Sequence, residues 1–271
     1  MTEPSIETTR TGFSVLRLLA AVPTAIWTLV LVLILWELAV WLLDLPPIML
    51  PAPSAIAQEF VNYGHRLWPN TLFTAWEVFL GFICAILVGV PLATVIVYSP
   101  FLERATYPLI VSSQTVPMVA IAPLLLTWFG YGIAPKIVIV VLQAFFPIVI
   151  NTVMGLKSVS DEMIHLARSM GATPWQLFWK FRLPAALPSL FAGLKMATAA
   201  SVVGAIVAEF VGSSAGLGYV IVASGAAFNV TRQFAAIICI TLLGIAFFAF
   251  LEWAERMALP WKKDHGAKGG H

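Results

Sequence analysis

Long apolar runs, separated by short polar or Pro/Gly-rich connections, set the pattern of this chain. Six runs stand out, at about residues 22–43, 71–97, 108–129, 136–156, 188–211 and 234–256. Each approaches the roughly 20 residues that a helix needs to cross a bilayer core. The connections are DLPPIMLPAPS, YSPFLER, GYGIAP, a long stretch over 157–187, and GSSAGLGYVIVASGAAFNVTRQ. The two-residue alternation of a membrane β-barrel is missing. The pattern predicts an all-α polytopic membrane protein of about six transmembrane helices. The first run is too long for the core of a secretory signal, and no small-residue cleavage site follows it, so it reads as a retained span. The chain divides into a tail over 1–21, a transmembrane unit over 22–256 and a second tail over 257–271.

Composition sharpens this. The 271 residues are 60% hydrophobic and 10% charged, where soluble domains carry about a quarter charged residues. A net charge of +2 gives no footing for nucleic acid. Cys84 and Cys239 both fall in apolar runs, which fits small buried hydrophobes better than a disulfide framework or a metal site. The basic residues set the orientation. With a cytoplasmic N-terminus, twelve of the 15 Lys and Arg lie inside, and only Arg66, Lys136 and Arg232 lie outside. The positive-inside rule therefore places both termini and the 157–187 stretch in the cytoplasm.

That stretch contains HLARSMGATPWQLFWKFRLPAALP and differs from everything around it. Asp161 and Glu162 suit the positive end of a helix dipole. Met163, Leu166, Ala167 and Met170 recur at helical spacing as one face. Gly171 is placed as a C-cap. Thr173-Pro174-Trp175-Gln176 then restarts a helix, with Thr as N-cap, Pro in the first turn and Gln as capping-box partner. Trp175, Phe178 and Trp179 form its apolar face, Leu183-Pro184 stops it, and Pro188 opens the next span. A solvated loop with an interfacial helix is the plain reading. A hinged helix pair displaying the small residues Ala167 and Ala172 suits a docking element better.

Here the chain resembles the permease subunits of ATP-binding-cassette (ABC) importers. Their cytoplasmic loop carries E-A-A, three residues, G, nine residues, I, one residue, L-P. Ala167 stands at the last Ala, Gly171 at the glycine, Phe181 at Ile, and Leu183-Pro184 at the end. His165 and Leu166 occupy the places of Glu and the first Ala. TVPMVAIAPLLLTWFGYG, AFFPIVINT, LPAALPSLFAGLK and AEFVGSSAGLGYVI are similar to the branch that imports sulfonates, taurine, nitrate and thiamine or riboflavin precursors, and the similarity covers roughly residues 70–256. The resemblance implies that the loop is a coupling helix seated on a separate ATPase. Its contact set would be His165, Ala167, Arg168, Gly171, Ala172, Trp175, Leu183 and Pro184. It further implies a permease homodimer, two ATPase subunits, an external substrate-binding protein, and no cofactor on this chain, ATP and Mg belonging to the ATPase. The sequence agrees in having no G-x-x-x-x-G-K-[ST] phosphate loop.

Polar residues inside the runs are candidates for a translocation path: Gln114 and Thr115 in the third, Gln143 and Asn151 in the fourth, Ser201 and Glu209 in the fifth. The same groups could instead join helices by hydrogen bonds. Gly193, Ala197, Ser201 and Ala205 form one small-residue stripe, and Ala200, Gly204, Ala208 and Gly212 another, so this helix is expected to be central. Glu37, Glu77 and Glu209 are intramembrane acids, expected either to touch substrate or to pair with Lys136, Arg232 or a hydroxyl. Two other functions compete. A stand-alone secondary transporter or channel would favour a deep charge relay or matching broken segments, and neither is visible. A serine hydrolase is suggested by GSSAG over 212–216, yet that motif needs a strand–turn–helix setting with a histidine nearby. The only histidine expected on that side is His65.

Overall fold

The computed structural model describes residues 24–260, so the tail over 1–21, the start of the first run and most of the 257–271 tail lie outside the described residues. Every described element is a helix: α1 (Thr24–Leu42), α2 (Pro53–Tyr98), α3 (Pro100–Ser113), α4 (Met118–Phe129), α5 (Ile133–Leu156), α6 (Asp161–Ser169), α7 (Pro174–Leu177), α8 (Leu183–Gly212), α9 (Leu217–Ala226) and α10 (Val230–Ala258). A π-helical turn, Phe178–Arg182, joins α7 to α8. By length and composition, four helical stretches can cross a membrane: Pro53–Tyr98, Ile133–Leu156, Pro174–Gly212 and Val230–Ala258. Ile26–Leu42, Met118–Phe129 and Leu217–Ala226 are shorter apolar helices.

Three expectations change. The second run is the latter part of a 46-residue helix. At 1.5 Å per residue that is about 69 Å, far more than a bilayer core. Its polar first third escaped the hydropathy pattern because it is helical without being apolar. The third run is two helices. Val116 precedes Pro117, which disfavours helical backbone there, and the chain turns through Gln114–Pro117 before α4 begins. The Thr115 hydroxyl ties the turn to Ser112 O at 2.7 Å. Leu183-Pro184 does not stop a helix. The backbone passes through Pro184 because the π turn supplies the Leu183 N–H to Phe178 O, leaving Pro184 in the first turn of α8, where its missing donor costs little, and Pro188 lies inside α8 instead of opening it.

α5 and α8 form the closest helix pair, and α2 packs on α5 beside them. Phe82 and Ala85 of α2, Ala144 and Ile148 of α5, and Leu194 and Ala197 of α8 make the central core. A second core joins Ile56 and Leu67 of α2 to Leu217 of α9 and to Ala235 and Ala236 of α10. α8 is central, as its small residues predict: Gly193, Ala197, Ser201 and Ala205 are all buried. At Gly193 an added Cβ would sit 2.8 Å from Pro147 O, and at Gly155 one would sit 2.8 Å from Ala186 O. Backbone meets backbone at both points, so neither neighbour can yield by turning a side chain. α1 lies at the edge of the bundle: Trp36 packs against the second core beside Phe234, while Leu29, Leu31, Ile34 and Leu35 are exposed, as a lipid-facing helix requires.

Gly155→Ala should push α5 from α8 and destabilise the fold by ~1–3 kcal/mol. Gly64→Ala, where nothing lies within 4 Å of the new Cβ, should be neutral or stabilising. Thermal unfolding in mild detergent checks the pair, and equal melting of both variants would contradict this account of the seam.

Candidate functional site: the loop helices and the membrane cleft

Local sequence chemistry rigidly caps both loop helices. Ser160 caps α6, its hydroxyl accepting from Met163 N. The Glu162 carboxyl is held below the ordinary carboxylate range, first by its own backbone N–H and then by the Ser160 hydroxyl. At the other end Gly171 adopts φ +80°, Gly171 N donates to Arg168 O at 2.9 Å, and Ala172 N donates to Ala167 O at 3.0 Å. This is the Schellman arrangement, whose left-handed position favours glycine. Thr173 and Gln176 close the expected capping box: Gln176 N donates to Thr173 Oγ1 at 3.3 Å and Thr173 N to Gln176 Oε1 at 3.0 Å.

The faces differ from those expected. Ile164, Ala167 and Leu177 are buried together, with Val159, Ala172 and Phe181 packed against them. Ala167 therefore lets the two loop helices approach each other and is not displayed to a partner. Ala172 is likewise half-buried between them. Phe178 turns towards Tyr98, 6.3 Å between ring centroids. The exposed apolar surface is Met163, Leu166, Met170, Trp175 and Trp179, the two tryptophans in edge contact at 5.4 Å. His165, Arg168 and Gly171 are exposed beside it, while Leu183 and Pro184 are half-buried at the start of α8.

The broken third run creates a cleft of about 210 Å³. Gln114 from the break and Gln143 from α5 share it, with Met118, Phe146 and Ala200 in its walls. Thr115 is exposed in the same turn. The other proposed path residues have partners within this chain. Asn151 Nδ2 donates to Pro147 O at 2.8 Å, and the buried Ser201 hydroxyl donates to Ala197 O at 2.7 Å.

Glu209 is 1% exposed and belongs to a buried network at the far end of α8 from the loop. Thr74 Oγ1 donates to Glu209 Oε1 at 2.7 Å, and Gly218 N donates to Oε2 at 2.5 Å. Leu217 N donates in turn to Thr74 Oγ1 at 2.9 Å, and Gly216 N to Asn70 Oδ1 at 2.7 Å. Gly216 is at φ +102°, and a Cβ there would lie 2.1 Å from Glu209 Oε1, so no other residue fits this turn. Glu77 pairs with Lys136 at 2.8 Å, both buried, and Lys136 also donates to Ser213 Oγ at 2.7 Å. Glu37 accepts from the hydroxyl and amide of Ser54. Arg232 takes Glu59, not an intramembrane acid. Lys195 reaches into the bundle to pair with Glu255. All three intramembrane acids thus have structural partners. Thr74, Asn70 and Ser213 were missed by sequence reasoning, since hydroxyls and amides on apolar runs carry no signal of their distant partners. Ser214 is exposed, and neither described histidine, His65 or His165, lies beside it in chain order or in an observed bond.

A helical bundle with four stretches able to cross a membrane, a polar cleft and a capped helix pair exposing an apolar face has the architecture of a membrane transport subunit. The comparisons give the family. Residues 78–258 match the model for the binding-protein-dependent transport system inner membrane component, and the chain belongs to that family. It is the multi-pass, inner-membrane permease of an ABC importer, with ATP hydrolysis on a separate subunit. It is 37% identical over 86% of its length to the formylaminopyrimidine transport permease ThiX of Halalkalibacterium halodurans, covering 93% of that protein. It is 34% identical to the riboflavin transport system permease RibX of Chloroflexus aurantiacus, over 87% of this chain and 88% of that one. It is 27% identical to the taurine transport permease TauC of Escherichia coli, over 89% and 90% of the two. Among solved structures, a chain of the inward-facing MetNI methionine ABC transporter shares the fold, with TM-score 0.58 and 21% identity, over 74% of this chain and 97% of that one.

Lys136→Met should leave the Glu77 carboxylate buried without a cation and cost ~3–5 kcal/mol, while adding Glu77→Met should recover most of it. Melting temperatures of the single and double variants check this. A double variant no better than the single would show that Lys136 acts elsewhere.

Proposed function

We propose that two copies of this chain form the passage of an importer, with two ATPase subunits docked on their 157–187 loops and an external binding protein delivering the solute. Six spans, with both termini and this loop in the cytoplasm, fit the distribution of Lys and Arg. In this arrangement the residues 22–256 are the permease domain and 1–21 and 257–271 its cytoplasmic tails. The observation that carries the reading is the loop itself. A helix pair capped at three of its ends and continuous with α8 at the fourth, with Met163, Leu166, Met170 and Trp175 turned outward, is built to present apolar surface to another protein. His165 and Arg168 sit beside that surface as polar contacts, and Gly171, Leu183 and Pro184 fix its geometry. Ala167 and Ala172 support it from within.

Gln114, Thr115 and Gln143 are assigned to the passage. Glu209 supports it by joining α8 to α2 and to the start of α9, while Asn151 and Ser201, on the helices that frame it, bond to carbonyls of their own helices. The relatives carry formylaminopyrimidine, riboflavin or taurine by their names. A cleft with two amides and the Phe146 ring, and no ionisable side chain in its lining, favours a planar nitrogen heterocycle over a sulfonate.

Leu166→Asp and Gly171→Asp should each leave the chain in the membrane but lower ATPase association at least about a hundredfold, because an unpaired carboxylate would be buried at the contact. Mass spectrometry of what stays bound after gentle solubilisation measures this, alongside uptake in cells. Undiminished ATPase capture by both variants would remove the docking assignment. Ala167→Asp is a different test: it should unfold the loop, because Ala167 is internal.

A further inference from the structure

The end of α2, the start of α3 and the two loop helices enclose a second cleft, of about 460 Å³. Two guanidinium groups, Arg168 and Arg182, line it, and no carboxylate does. Among the described residues, neither arginine makes an ion pair. Arg182 lies over the Tyr98 ring at 5.1 Å. Its Nε is shut off from solvent and has no hydrogen-bond partner there. A guanidinium stays charged at any physiological pH, and two of them lining one cleft without a carboxylate favour an anion at their outward donors. The guanidinium fork of donors matches the oxygens of a phosphate group. Ala172 and Leu177 wall the cleft and also pack in the loop's internal cluster. Arg168, which also sits beside the proposed ATPase contact, thus borders this cleft as well.

We infer that this cleft binds a phosphate-bearing anion, gripped by Arg168 and Arg182 with Tyr98 beneath the guanidinium. Two sources supply that chemistry: the headgroup of an anionic phospholipid, or a soluble phosphate compound. The inference does not depend on which solute is carried or on the ATPase being bound.

The test uses the full-length chain purified in detergent. Native mass spectrometry after exposure to equal phosphatidylglycerol and phosphatidylcholine reads the lipid arm, and calorimetric titration with inorganic pyrophosphate reads the soluble arm. Arg182→Gln removes the inner guanidinium. Arg168→Gln changes an exposed side chain and keeps the fold. Phosphatidylglycerol retained about tenfold over phosphatidylcholine, and lost about tenfold in each variant, assigns a lipid. Pyrophosphate binding weakened by similar factors assigns a soluble ligand. Equal retention of both lipids with no pyrophosphate binding overturns the inference, as does any binding that Arg168→Gln leaves unchanged.

Discussion

The structure hangs on the contact between α5 and α8. In a bilayer, apolar side chains gain little by leaving lipid for another helix, so helices must be held by close packing and internal hydrogen bonds. Here the backbones touch. Gly155 lies against the Ala186 carbonyl and Gly193 against that of Pro147. Asn151 and Ser201 return their polar groups to carbonyls of their own helices, leaving the seam free of unmet donors. With this pair fixed, α2 has one groove to fill. Gln143 and Ala200, projecting past the seam, meet the broken third run as the walls of a cleft.

The far end of the bundle follows a second rule, that a charge taken from water needs a partner. Glu77 and Lys136 meet across α2 and α5, and Glu209 gathers Thr74 and the amide of Gly218. These bonds hold the GSSAGLG turn and start α9. Carboxylates that read in isolation as candidates for solute contact are here the means by which an irregular backbone is tolerated at membrane depth.

Much of this was legible in the chain. Gly171 and the Thr173–Gln176 capping box were readable to the residue, because such caps act over three or four positions, whereas Ser160 at the start of α6 was not singled out. The central place of α8 was readable from its four-residue stripes of small side chains. What was hidden depends on the third dimension. Hydropathy cannot see a helix that continues through polar residues, so the first third of α2 was missed. Pro184 read as a stop because the π turn before it leaves no mark in composition. Ala167 read as a surface residue because spacing gives a helix's faces without saying which one is covered.

The π turn has a mechanical meaning. From Pro174 to Gly212 the backbone is one helical body of 39 residues, about 58 Å at 1.5 Å per residue. The outer part of α7 and the innermost part of α8 are therefore two ends of a single helical shaft. A tilt of about 5° at the loop end would carry the opposite end through about 5 Å over that length, the width of a small planar solute. The extra residue in the turn and Pro188 just beyond it are where such a shaft would bend first under load, so both compliant points fall at its loop end.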